Sequence, residues 1–170
     1  NNPSRIKGDN LPVQVSRNDA VLFCETLTRK ENVPSGWEFS LPHESQWEYT
    51  CRAGTTSNYS WGRVLSLNLA NYRDRTKDES SFRPVNVGSY SPNPWGFYDM
   101  HGNVSEWTGD WRGPYPKTLT IDPEGPVSGT SRVVRGGSYF SNVLSDLLSS
   151  SRHEKDPSGF SGFRVSFQKK

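Results

Sequence analysis

The chain is poor in cysteine and contains no long hydrophobic run. Its 170 residues include two cysteines, one methionine and three histidines, and 20 basic residues nearly balance 18 acidic ones, for a formal net charge of +2. That balance argues against charge-driven binding to nucleic acid or to an anionic membrane surface. No apolar stretch approaches the ~20 residues that a membrane-spanning helix needs. Cys24 and Cys51 predict either two buried thiols or, in an exported protein, a single disulfide.

The composition nevertheless indicates a folded domain. Aromatic residues make up 12%, with six tryptophans, and glycine and proline are frequent, at 15 and 12 residues. Disordered chains are poor in aromatic residues, whereas small cores depend on them. We therefore predict one loop-rich domain over residues 1–170. The tryptophans predicted to lie in its core are Trp37, Trp47, Trp95, Trp107 and Trp111, with Trp61 on the surface.

Regular elements are predicted in five places. Apolar residues at helical spacing predict helices over 18–30 and 43–51. Alternating or compact apolar segments predict strands over 37–41, 132–135 and 163–167.

Two stretches read as irregular chain. Residues 55–94 are dominated by turn formers, and a loop of this length in a compact domain usually serves a bound ion or a functional surface. Residues 141–161 are rich in serine, and we predict a flexible, exposed loop that is too polar for the core.

The segment 93–108 carries a distinctive pattern. It reads N-P-W-G-F-Y-D-M-H-G-N-V-S-E-W-T and resembles the hallmark N-x-x-G-x-x-D-M-x-G-N-V-x-E-W of the formylglycine-generating enzyme (sulfatase-modifying factor) family. Residues 41–49, L-P-H-E-S-Q-W-E-Y, similarly resemble the family's L-P-T-E-A-E-W-E-Y. The further matches, in chain order, lie at residues 2–13, 19–24, 135–139 and 162–165.

The resemblance implies a fold. Members of this family have the C-type-lectin-like α+β fold, with two helices, short twisted antiparallel strands and long irregular loops. The match runs from residue 2 to about residue 168 and begins at the Asn-Pro-Ser motif. We therefore expect the family's opening strand region to be absent from the chain.

The resemblance also bears on catalysis. The family's enzymes convert a cysteine of a sulfatase-type peptide into formylglycine with copper and oxygen, and a cysteine pair shortly after the Gly-Gly-Ser motif carries this chemistry. Soft thiolates select Cu(I). The two matching positions here hold Ser141 and Asp146, neither of which is a soft ligand. The sequence thus disfavours copper and an enzymatic role, although an active oxidase with displaced ligands remains an alternative.

Calcium has better support from the residues. Asp99 and Glu106 are carboxylates seven positions apart with Gly102 between them, and Ca²⁺ takes several oxygens from carboxylates and carbonyls of one loop. The resemblance assigns a calcium ion to the side chains of Asp99 and Glu106 and to the carbonyls of Gly102 and Val104. The alternative is a structural turn in which both carboxylates accept backbone hydrogen bonds.

A second calcium site has weaker support. The resemblance would build it from Asn71, the carbonyl of Tyr72 and a following aspartate such as Asp78, but the spacing here is altered. Two further positions depart from the family pattern: Ser105 stands where relatives carry tryptophan, and His43 stands where they carry threonine.

The last candidate site is residues 139–161. In relatives that lack the cysteine pair this segment forms an exposed ligand-binding face, and some of those relatives are variable, receptor-binding products of diversity-generating retroelements. Aromatic and small polar residues also suit adaptable binding loops. An ordinary solvated loop is the alternative. The candidate contact residues are Tyr139, Phe140, Asn142, Leu144, Asp146, Arg152, His153 and Phe160.

These observations lead to one functional expectation with two alternatives. The expected function is a non-catalytic, calcium-stabilised domain that contacts a protein or glycan ligand. The alternatives are the copper-dependent oxidase and a structural module of a larger bacterial protein. Because relatives are often exported and calcium is plentiful outside cells, we expect an extracytoplasmic or cell-surface location.

Overall fold

The computed structural model describes residues 2–170 and has an α+β architecture, which confirms the predicted fold class. Its helices are α1 (Arg17–Lys30) and α2 (Glu44–Arg52). Within these residues no helix combines the length and the apolar character needed to cross a bilayer. The strands are β1 (Trp37–Ser40), β2 (Glu106–Trp111), β3 (Arg132–Arg135), β4 (Arg152–Lys155), β5 (Gly162–Phe163) and β6 (Ser166–Lys169).

Both helices begin at side chains that satisfy free backbone groups. The hydroxyl of Ser16 accepts a hydrogen bond from the Asp19 N–H at 3.2 Å and so caps α1. At α2 the side chain of Gln46 accepts from the N–H of His43 at 2.8 Å. This contact helps to start the helix although His43 replaces the threonine of relatives. The helix α2 ends at Ala53, whose φ is 47°.

The strands form two small sheets. A four-stranded sheet has the order β4-β3-β2-β5, and β1 pairs with β6 in a separate antiparallel ribbon. The larger sheet is mixed because β5 runs parallel to β2. The register between β2 and β3 shifts between Trp107 and Trp111, so β2 is irregular in its middle.

Three buried clusters make up the core. The first surrounds the fully buried Trp107 and joins α1 to the central strands through Ala20, Cys24 and Val134. The second contains Trp47, Cys51 and Met100. The third lies under the long loops and includes Tyr59, Ala70 and Leu147.

His101 connects the second and third clusters. Its Nδ1 lies 2.7 Å from the carbonyl of Leu147, and its Nε2 lies 3.2 Å from the N–H of Ser60 and 3.5 Å from the Cys51 sulfur. These contacts suit a neutral ring that donates from Nδ1 and accepts at Nε2. Burial accordingly lowers the pKa of His101 to about 4.

The structure corrects three of the predicted elements. The strand expected over 163–167 is split into β5 and β6, because Arg164 between them turns to an ion pair with Glu106. No strand is predicted over residues 106–111, where the structure has β2. The prediction of a flexible, exposed loop over 141–161 is wrong: β4 lies within it, and Leu147 and Ser149 are fully buried.

The tryptophan predictions hold only in part. Trp47 and Trp107 are buried as expected, but Trp37 and Trp95 are 38% and 44% exposed. Trp37 instead stacks on Phe167 across the β1–β6 ribbon, with ring centroids 5.0 Å apart. Both cysteines are buried free thiols, in different clusters of the core.

We predict that His101 makes the protein sensitive to acid. The folded state takes up this proton only near pH 4, whereas an unperturbed histidine does so near 6.5. The contribution of neutral His101 to the free energy of unfolding is therefore intact above about pH 6.5 and is lost as the pH falls towards 4. It amounts to about 3 kcal/mol at ~1.4 kcal/mol per pKa unit. Urea unfolding between pH 7 and pH 4 should show a shallower decline for His101→Gln than for the wild type. An unchanged slope in His101→Gln would contradict the assignment.

Candidate functional site

The loop from Asp99 to Glu106 is held in an unusual backbone conformation. Asp99, Gly102 and Asn103 have φ values of 56°, 83° and 59°. A Cβ atom at Gly102 would lie 2.3 Å from the carbonyl oxygen of Asn71, so this position requires glycine. The Asn71 carbonyl in turn accepts from the Asn103 N–H at 2.8 Å. The loop is thus fixed against the segment that follows residue 70.

Asn103 ties this loop to two others. Its side chain accepts from the Val85 N–H at 3.0 Å and donates to the Val85 carbonyl at 3.2 Å. Its backbone carbonyl accepts from the Tyr139 N–H at 2.8 Å. The candidate calcium loop therefore supports the start of the candidate ligand-binding face.

Glu106 is buried and already has a positively charged partner. Its carboxylate accepts from Nε and Nη2 of Arg164, both at 2.6 Å, and from the indole N–H of Trp47 at 2.7 Å. The pair of bonds from one guanidinium is the strong, bidentate kind. Strand β2 begins at this residue, so the ion pair also anchors the sheet.

Asp99 lies near the same group. One of its carboxylate oxygens accepts from the Gly88 N–H at 2.7 Å. Burial raises the pKa of Asp99, and the nearby negative charge of Glu106 raises it further. Both carboxylates line a cleft of about 700 Å³ together with Arg164.

The backbone of this loop offers two further oxygens. The carbonyls of Asn103 and Ser105 accept from the N–H groups of Tyr139 and Gly162, both at 2.8 Å. The alternate carbonyls, of Gly102 and Val104, take up no backbone hydrogen bond within residues 2–170. Two carboxylates and two available carbonyls fit the oxygen preference of Ca²⁺. Arg164 competes with such an ion for Glu106, so any calcium bound here must draw charge chiefly from Asp99.

The second candidate calcium site is arranged differently from the expectation. Asn71 and Tyr72 line a cavity of about 210 Å³ with Asp74, Lys77 and Arg83. Asp78 is not among the lining residues; it is exposed and precedes the 3-10 helix Glu79–Ser81. With two basic side chains in the lining, this cavity suits a cation less well than the loop at Asp99.

The two positions that match the copper-binding cysteines have other partners. The Ser141 hydroxyl accepts from the Ser138 N–H at 3.0 Å, which closes a tight turn. The Asp146 carboxylate lies 3.9 Å from Nε2 of His153. Hydroxyl and carboxylate oxygens are hard ligands, so these residues do not form a thiolate copper site.

Part of the candidate ligand-binding face forms an aromatic cluster that, with two exposed residues that follow it in the chain, is called here the aromatic surface: Tyr139, Phe140, Arg73 and Phe82, followed by Val143 and Leu144. The Phe140 ring packs edge-on against Tyr139 and Phe82, at 5.9 and 6.2 Å between centroids. The Arg73 guanidinium lies over both phenylalanine rings, at 4.8 and 5.7 Å. Phe140, Val143 and Leu144 remain 54%, 50% and 56% exposed.

The other candidate contact residues lie in different parts of the molecule. The carbonyl of Asn142 accepts from Arg75 at 2.7 Å at the edge of the aromatic surface. Phe160 is exposed but precedes Ser161, which pairs with Val15 ahead of α1 in another part of the molecule. Arg152 points into the protein, where it donates to the Glu44 carboxylate at 2.8 Å.

Sequence analysis missed the ion-pair cluster that holds Arg152, defined by Glu44, Glu48, Arg135 and Arg152. Arg135 is fully buried and pairs with Glu48, while its guanidinium also donates to the carbonyls of Ser149 and Ser151. The signal was present: Glu44 and Glu48 are one helical turn apart beside the buried Trp47, and Arg135 ends a predicted strand.

Comparison with known proteins agrees with this arrangement. The family model described as the sulfatase-modifying factor enzyme 1-like domain matches residues 2–169. The chain belongs to this family.

Curated relatives in the family are longer than this chain. The formylglycine-generating enzyme of Streptomyces coelicolor is 34% identical over 169 residues, which cover 89% of this chain and 51% of the relative. The formylglycine-generating enzyme of Bos taurus is 34% identical over 142 residues, which cover 77% of this chain and 35% of the relative. The serine/threonine-protein kinase pkn1 of Chlamydia pneumoniae is 36% identical over 132 residues, which cover 73% of this chain and 20% of the relative. The chain thus spans about half, or less, of these relatives' length.

Solved structures of the same fold extend over nearly the whole chain. Treponema denticola variable protein 1 superposes with a TM-score of 0.84 at 25% identity, covering 100% of this chain and 78% of that one. PvdO from Pseudomonas aeruginosa superposes with a TM-score of 0.79 at 26% identity, covering 96% and 64%. These neighbours confirm the fold that the motifs imply.

The motifs that identify the sulfatase-modifying factor family have a structural role here. Glu48 of the E-W-E-Y motif pairs with Arg135 of the R-G-G-S motif, and Glu106 of the N-V-x-E-W motif pairs with Arg164 of the G-F-R motif. The family match therefore reflects the shared scaffold, which supports an active site in some members and is compatible with other functions.

Proposed function

We propose that this member of the sulfatase-modifying factor family is a non-catalytic, calcium-stabilised domain that binds a protein or glycan ligand at the aromatic surface. The replacement of both copper-binding positions by Ser141 and Asp146, directly beside exposed aromatic residues, carries this proposal. The calcium ion would use Asp99, Glu106 and the carbonyls of Gly102 and Val104. A calcium-dependent fold suits an extracytoplasmic location, where calcium is plentiful.

The thiols of the chain do not restore the copper site. Cys24 belongs to the cluster around Trp107, and Cys51 lies between Trp47 and Met100. Burial raises the pKa of Cys51 to about 12. Because the thiolate is both the metal ligand and the nucleophile, a thiol held in its neutral form is inert.

The composition of the aromatic surface supports ligand binding. Energetically dominant residues of interfaces are enriched in aromatic side chains and arginine, which here occur together as Phe82, Phe140 and Arg73. Their mutual packing restricts the rings before a ligand arrives, so less conformational entropy is lost on binding. Arg75 further holds the following backbone through the Asn142 carbonyl.

A structural module of a larger bacterial protein is the second candidate. Its support is the similarity to the Chlamydia pneumoniae protein kinase pkn1, of which the matched region is only 20%. The domain thus occurs as one part of a longer chain in at least that relative. The two roles are compatible, because a module can contribute a binding surface to its parent protein.

We expect the protein to leave a sulfatase cysteine unmodified. A peptide with the Cys-x-Pro-x-Arg motif, incubated in air with Cu(I)-loaded protein, should return with unchanged mass because no thiolate pair positions its cysteine. Mass spectrometry provides the measurement, and an active formylglycine-generating enzyme provides the positive control. Formylglycine in the peptide would overturn the non-catalytic assignment and favour an oxidase with another ligand set.

We expect the aromatic surface to account for ligand binding. Screening the protein on glycan arrays and displayed peptide libraries should yield a ligand whose affinity falls at least ~10-fold in the double variant Phe140→Ser/Leu144→Ser, because buried aromatic and aliphatic anchors contribute most binding energy. The matched control is Leu119→Ser, since Leu119 is fully exposed in another loop. A ligand whose affinity falls in the control variant and is unchanged in the double variant would assign binding to a different surface.

We expect Ca²⁺ to stabilise the protein through Asp99. Titration with Ca²⁺ should raise the melting temperature, and EDTA should reverse the rise, since a ligand that binds only the folded state stabilises it. Asp99→Asn removes the charge but tolerates the positive φ of 56°, so it should abolish the rise while keeping the fold. Asp122→Asn is the matched control, with a positive φ of 46° in an exposed loop. An equal Ca²⁺ response in both variants would rule out this site.

A further inference from the structure

A second polar cleft lies on the side of the molecule formed by α1, β1 and the start of α2. Its volume is about 550 Å³, and its lining includes Arg17, Ser40, His43 and Gly109. None of these residues belongs to the aromatic surface or to the candidate calcium sites. Gly109 lies beside the imidazole: a Cβ atom added there would be 3.4 Å from Nδ1 of His43.

Hydrogen-bonding groups in this cleft are left without partners. The buried Nε of Arg17, Oγ of Ser40 and Nδ1 of His43 make no hydrogen bond within residues 2–170, and neither does the adjacent Nε of Arg132. The Asp110 carboxylate lies 3.6 Å from Nδ1 of His43 and raises the pKa of that imidazole. Buried polar atoms are normally satisfied, so three such atoms in the lining, with Arg132 beside them, point to water or a ligand in the cleft.

The same region has two guanidinium charges against the one negative charge of the buried Asp110. Arg17 and Arg132 both donate to the carbonyl of Gly109, at 3.1 and 2.6 Å, which places two guanidinium groups side by side. Burial and the charge of Arg17 lower the pKa of Arg132 to about 10, and burial also lowers that of Arg17. Water would satisfy the hydrogen bonds but would not offset this charge.

The nearby acidic groups offset only part of this positive charge. The Asp110 carboxylate accepts from the Glu44 N–H at 2.6 Å, at the first turn of α2. On the rim, Glu38 pairs with Lys170 at 3.2 Å. The remaining rim charges, Glu25 and Arg29, cancel formally. The base of the cleft thus has more cationic than anionic groups.

We propose that this cleft binds an oxyanion, a phosphate or carboxylate group, through Arg17, Ser40 and His43. The ligand's oxygens accept from the unpartnered donors, and its charge offsets that of Arg17 and Arg132. Arginine suits such groups because its planar guanidinium forms charge-assisted, directional hydrogen bonds. The cleft is large enough for the anion to be the terminal group of a larger ligand.

The test is titration of the protein with inorganic phosphate, with acetate and with chloride at constant pH. We expect phosphate or acetate to shift the His43 imidazole NMR signals saturably with a stoichiometry of one, whereas chloride does not. Saturation by phosphate alone or acetate alone identifies which oxyanion source the site accepts. Equal drift of the signals in all three salts overturns the proposal.

Two variants separate binding from folding. Arg17→Gln should weaken the anion at least ~10-fold, the usual loss for a charge-assisted hydrogen bond. Ser40→Ala should weaken it by about threefold without lowering stability in urea, because the hydroxyl it removes has no partner in the protein. Arg63→Gln, an exposed residue with the same charge change, should bind as the wild type does. Wild-type affinity in both Arg17→Gln and Ser40→Ala would overturn the assignment.

Discussion

The buried guanidinium of Arg135 is the constraint on which much of this structure depends. A charge with no exposure to solvent must be paired and hydrogen-bonded, and the uncompensated group would cost several kcal/mol. Arg135 meets this requirement by recruiting Glu48 from α2 and the carbonyls of Ser149 and Ser151. One side chain on β3 thereby fixes both a helix and the irregular segment that precedes β4. The serine-rich stretch is ordered because its backbone supplies acceptors to this arginine.

Glu106 and Arg164 form a second ion pair of this kind on the other side of Trp47. The indole N–H of Trp47 donates to Glu106, and its ring lies 5.3 Å from the guanidinium carbon of Arg135. The tryptophan therefore separates two buried ion pairs and contacts both. This arrangement limits the candidate calcium loop, because Arg164 already neutralises one of its two carboxylates. In the proposed calcium site, Asp99 and the two free carbonyls would therefore contribute more than Glu106.

The sequence predicts a helix or strand correctly where one local signal is strong. The apolar stripe and the Ser16 cap define α1, and the compact apolar segment at residues 132–135 defines β3. It was uninformative where long-range contacts decide. Strand β4 reads Arg-His-Glu-Lys, and it forms because β3 offers a paired edge and Glu44 offers a partner to Arg152. The ordered motifs allowed the fold to be assigned, whereas the polar cleft at Arg17 follows from distances that no local pattern contains.

Separation of scaffold and site explains how one fold can carry different functions. The ion pairs that hold the loops use residues of the family motifs, and none of them involves Ser141 or Asp146. Different side chains at those two positions would therefore leave these ion pairs undisturbed. The segment 140–144 is held at its backbone, by the Asn103 carbonyl through the Tyr139 N–H and by Arg75 through the Asn142 carbonyl, so its exposed side chains are not what holds the domain together. A binding surface on such a support can change its specificity by side-chain replacement alone.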